Sequence, residues 1–116
     1  MFWTVDDELR FGLDVADFID TIRDADDAPQ QLIALIEEQL LIAGVPLPDH
    51  VVPLALTDIL RRLNTKRVKR ITERLPQSRG LLVATLLASK VRSLINEEDS
   101  RERRTGSKGR HGNNGQ

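Results

Sequence analysis

A chain of 116 residues has room for one domain with a modest core, and with no cysteine it can form neither a disulfide nor a thiolate site. No apolar run approaches the roughly 18 residues that a membrane span needs. The net charge of −1 hides a gradient: residues 1–58 carry 13 Asp/Glu against 2 Arg, whereas residues 59–116 carry 15 Lys/Arg against 5 Asp/Glu. Such a split either pairs within one domain or presents two unlike ends to partners, nucleic acid among them.

The aromatic residues Phe2, Trp3, Phe11 and Phe18 all lie near the start, and Leu, Ile, Val and Ala supply the remaining apolar side chains. That balance favours a helical core over a β-sandwich. The opening MFWTVDDELR has neither the basic nor the apolar region of a secretory signal, so a cytosolic or nuclear chain is expected.

Residues 4–23 read as the first helix. Thr4 is its cap, and Asp6, Asp7 and Glu8 fill the electropositive first turn. Leu9, Phe11, Val15, Phe18, Ile19 and Ile22 recur at near-helical spacing, with Gly12 a weak point that bends or interrupts the helix. The stretch ADDAP breaks the pattern. Asp27 is the expected cap of a second helix, Pro29 suits its first turn, and Leu32, Leu35, Ile36, Gln39, Leu40 and Ala43 share one side. Gly44, Pro46 and Pro48 stop it.

A third helix starts between His50 and Leu54, with Leu56, Ile59, Leu60 and Leu63 as its apolar stripe. Thr65 then caps a short fourth helix, in which Val68, Ile71 and Leu75 alternate with Lys66, Arg67, Lys69, Arg70 and Arg74. After LPQS, Ser78 is the expected cap of the last helix, 79–96. Leu81, Leu82, Val83, Ala84, Leu86, Leu87, Ala88, Val91, Leu94 and Ile95 wrap most of its circumference, the mark of a buried central helix. From Glu97 onward no apolar residue follows, and residues 97–116 read as a disordered tail. The expected architecture is all-α: a five-helix bundle over 1–96 with a buried C-terminal helix, then the tail.

Catalytic signals are weak. His50 and His111 have no partner at metal-ligand spacing, and the Asp24, Asp26, Asp27 cluster lacks the ligand order of a calcium loop. No phosphate loop or nucleophile motif occurs, so no enzyme, metal or cofactor is expected.

Two surfaces remain. The segment from Thr65 to Val91 can be read as helix-turn-helix, but its second helix is Leu/Val-rich and the basic residues lie on the first, where they reach only phosphates. The meeting place of the third, fourth and fifth helices instead offers apolar side chains, Leu63 and Val68, beside Arg and Lys. A groove of that kind fits an acidic segment with apolar anchors. The alternative is that these apolar residues are core.

The spacing over residues 53–96 resembles the N-terminal domain of transcription elongation factor S-II, with relatives in elongin A and a Mediator subunit. Pro53-Leu54, Leu56 and Ile59 match the family's opening proline segment. Val68 and Ile71 match its short helix, and Val83-Ala84, Leu87, Val91 and Leu94-Ile95 match its final helix. The family's tryptophan is Val91 here, and its Thr-x-Ile-Gly is replaced by Arg62-Leu63-Asn64-Thr65.

The resemblance implies a non-catalytic, nuclear docking domain for short disordered motifs of transcription-elongation or chromatin proteins. Lys66, Arg67, Lys69, Arg70 and Arg74 would be its electrostatic rim and Leu63 its anchor. Two other functions stay open: nucleic-acid binding through 66–74 and the tail, or a small helical subunit that oligomerises through Phe2, Trp3 and Phe11, unless Phe2 and Trp3, which lie outside the periodic face, cap one end of the bundle instead.

Overall fold

The computed structural model describes residues 1–75 and 77–112, residues 104–112 by backbone alone. Five helices follow one another: α1 Val5–Ile22, α2 Ala28–Ile42, α3 Val51–Leu63, α4 Lys66–Arg74 and α5 Ser78–Gly112. No strand occurs among the described residues, and the fold is all-α.

Local chemistry sets the boundaries. At the start of α1, Thr4 Oγ1 accepts from the Asp7 amide at 3.2 Å, and Asp7 Oδ2 accepts from the Thr4 amide at 2.8 Å. This capping box satisfies amides that the first helical turn leaves free. The hydrogen bond from the Thr4 amide holds the Asp7 carboxyl below the usual carboxylate range.

Asp27 stands at the α2 N-cap without capping it; its Oδ1 accepts from Gln31 Nε2 at 2.8 Å instead. At the other end Gly44 has a φ of +78°, which a side chain would strain. Its amide donates to Leu41 O and the Val45 amide to Leu40 O, both at 3.0 Å, a Schellman termination. Thr65 Oγ1 caps α4 by accepting from the Val68 amide at 3.2 Å. Ser78 does not cap α5 in this way: its Oγ donates backward to Leu75 O at 2.6 Å.

The most extensive packing joins α1 to α5, antiparallel. Glu8 meets Arg92, Gly12 meets Ala88, and Ile19 meets Gly80. Gly12 does not interrupt the helix; a methyl group built there would lie 3.5 Å from Ala88 Cβ. Small residues on both helices let the two backbones approach. Helices α2 and α3 close the other sides, and Val15, Leu40, Leu87, Val91 and Ile95 are fully enclosed. The central role expected of the last helix holds for Val83, Ala84, Leu87, Ala88, Val91 and Ile95, whereas Leu81 is exposed.

Three further expectations need correction. Leu9 was expected on the inner face of α1, yet it points outward while Phe11 is buried. Two residues along a helix turn the side chain by about 200°, so the pair cannot share a face. Trp3 and Phe11, offered as an oligomerisation surface, are both buried and pack edge to face with centroids 5.4 Å apart. Of that surface only Phe2 stays exposed.

The helix also does not end near Asn96. Residues 97–103 continue α5, with Arg101–Glu98 at 2.8 Å and Arg103–Asp99 at 3.1 Å bridging successive turns. Asp99 is buried and receives the Met1 ammonium at 3.2 Å. The far end of the expected tail, residues 113–116, lies outside the described residues.

Candidate docking face

Helix α4 conflicts with itself electrostatically. Lys66 and Arg67 stand in its first turn, where the helix dipole favours anions, and no acidic residue offsets them there. Lys66, Arg70 and Arg74 follow at i, i+4 and i+8, a row of like charges that disfavours the helix by about 0.2–0.5 kcal/mol per pair. Lys66, Arg67, Lys69, Arg70 and Arg74 are all exposed, and among the described residues none has an acidic group within ion-pair distance.

The apolar side of α4 is incompletely covered. Val68 is half-buried against the core, but Ile71 is 46 % exposed and Leu75, at the C-cap, 63 % exposed. No residue of α4 is buried, and its packing is chiefly against α5. A strongly amphipathic helix normally spends its apolar face on the core. Here Arg67, Ile71 and Leu75, spaced four apart, form an outward stripe with Arg70 and Arg74 alongside.

The sequence-derived anchor, Leu63, is not part of that surface. It is 3 % exposed and belongs to the core with Leu56 and Ile59. Its position at the end of α3 turns it under the bundle, and the available apolar anchors are Ile71 and Leu75. The expected groove among three helices takes a different form as well. A depression of about 490 Å³ lies between α3 and α5, floored by Leu54, Ala55, Ile59 and Leu86 and edged by Arg62 and Lys90. No α4 side chain lines it, and Arg62 is engaged by Asp58 at 3.0 Å.

The charge gradient is barely discharged inside the fold. Among the described residues the side-chain ion pairs run between sequence neighbours, apart from Arg92–Glu8 at 2.8 Å. No described helix is long and apolar enough to cross a membrane. Compared with known families, with curated proteins and with solved structures, the chain finds no match in any of the three.

Proposed function

We propose that the chain is a non-catalytic protein-interaction domain whose docking face is the outer side of α4. It takes a short, disordered segment in which acidic residues flank apolar anchors. Lys66, Arg67, Lys69, Arg70 and Arg74 supply the positive rim, and Ile71 and Leu75 replace Leu63 as the apolar contact. The observation that carries this reading is the coincidence, on one short helix and its C-cap, of five exposed cations without acidic partners among the described residues and two uncovered aliphatic side chains. Positive potential of this kind speeds encounter with an acidic partner, while the apolar contact slows its release. A nuclear setting among transcription-elongation or chromatin partners rests on the resemblance to the elongation factor S-II domain.

Fluorescence anisotropy with a synthetic Asp/Glu-rich peptide bearing two or three Leu or Phe residues tests the proposal. Binding is expected to disappear in Lys66→Glu with Arg70→Glu while the thermal midpoint stays put. Random-sequence duplex is the control. Tight duplex binding that falls steeply with salt, without peptide binding, moves the function to nucleic acid.

A further inference from the structure

Helix α1 carries a second apolar face that the core does not use. Val5, Leu9 and Leu13, spaced four apart, are 54 %, 61 % and 65 % exposed. They lie opposite Phe11, Val15 and Ile22, which are buried. Asp6, Asp14 and Asp17 are exposed beside this stripe and have no basic partner among the described residues. Asp17 continues the four-residue row beyond Leu13.

This face is the complement of α4. Each stripe runs over nine residues, Val5 to Leu13 and Arg67 to Leu75, and is therefore about 12 Å long. One is aliphatic with a net negative border, in which Asp6, Asp14 and Asp17 outnumber Arg10, and the other is aliphatic with a positive border. Among the described residues the ion pairs leave both borders free. We infer that the two faces bind each other between copies, α1 of one molecule lying on α4 of the next.

The inference rests on the reading of α4 as a docking face and names a second copy of this chain as an occupant. Because the two patches differ, the contact is heterologous: each docked pair still offers one free α1 face and one free α4 face. Assembly therefore grows with concentration, either to a closed ring or to an open row. Two stripes of nine residues bury too little area for a permanent complex, so the contact is weak and reversible. Much of its strength is electrostatic, and raising salt from about 50 to 500 mM weakens it at least about tenfold.

Sedimentation equilibrium of the full chain at low salt, over a concentration series, tests this. The weight-average mass is expected to rise above the 13.1 kDa of one chain. Asp6→Lys with Asp17→Lys makes both faces basic, and Arg67→Glu with Arg70→Glu and Arg74→Glu makes both acidic. All five positions are exposed, so circular dichroism should show intact helices in both variants. Each variant alone is expected to stay monomeric, and an equimolar mixture to regain the mass, since every basic face then finds an acidic one.

Wild-type protein that stays at 13.1 kDa up to about 1 mM overturns the inference. So does a mixture that remains monomeric, or an Asp6→Lys, Asp17→Lys variant that associates as before. The acidic peptide separates the two proposals. It should bind the α1 variant and not the α4 variant whether or not the chain self-associates. Peptide binding without self-association leaves the docking face standing and removes only its occupant.

Discussion

Asn96 clasps the backbone of Trp3 from both sides: its Oδ1 accepts from the Trp3 amide at 2.8 Å, and its Nδ2 donates to the Trp3 carbonyl at 3.0 Å. This reciprocal pair seats the Trp3 ring against Phe11 and ties the segment before α1 to the middle of α5. Asn96→Ala removes both bonds in a partly buried place and should cost about 1–3 kcal/mol. Thermal denaturation should register this as a drop of several degrees, at about 4–8 °C per kcal/mol for a domain of this size. Asn96→Asp keeps an acceptor for the amide but has no donor for the carbonyl, and should fall between the two.

Leu63 and the α4 pair separate core from surface. Leu63→Ala is expected to lower stability by about 2–5 kcal/mol, because a fully packed side chain leaves a cavity. Ile71→Ser with Leu75→Ser should change the thermal midpoint little and weaken peptide binding instead. If Leu63→Ala were neutral and the serine pair unfolded the domain, the assignment of these faces would be reversed.

Gly12 offers a gain. Its φ is not positive, and a methyl group there meets Ala88 Cβ at ordinary van der Waals distance. Gly12→Ala should therefore stabilise the protein by about 0.5–1 kcal/mol through helix propensity alone, seen as a higher urea midpoint. Gly12→Leu, forced between α1 and α5, should be destabilising.

Acid should weaken the capping box at α1. The Asp7 carboxyl titrates below its ordinary value of 3.8, so its contribution is present above that pH and is lost as pH falls through the lowered value. Wild type should exceed Asp7→Asn in stability at pH 7, and the gap should close below about pH 4. A gap that widened on acidification would contradict the hydrogen bond to the Thr4 amide.

Val91 has no exposed surface at all. A carboxylate in that position has no solvent and no partner, so Val91→Asp should abolish the cooperative unfolding transition in circular dichroism, a loss of several kcal/mol.

Much of the fold was legible because it depends on local chemistry. Thr4, Gly44 and Thr65 each mark a boundary through their own backbone or side chain, and the six inward residues of α5 announce themselves by crowding its circumference. What escaped depends on long-range contact. Leu9 and Phe11 are equally apolar, and only the position of α5 decides which of them turns inward. Leu63 and Ile71 likewise look alike in the sequence, yet one ends under the bundle and the other outside it. Asn96 and Asp99 left no apolar signal, since their role is to receive polar groups from the first three residues. The outer stripe of α1 was written in the spacing of Val5, Leu9 and Leu13, but reading it requires knowing that a different face is already buried.

The antiparallel pairing of α1 with α5 also bears on how the chain is made. Helix α1 has α5 as its main packing partner, and Glu8 and Arg92, which touch, stand 84 positions apart. A nascent chain on the ribosome can therefore form its individual helices but not its interior until the segment around Arg92 to Asp99 has left the exit tunnel. Until that moment α1 presents both of its oily sides to whatever holds the emerging polypeptide.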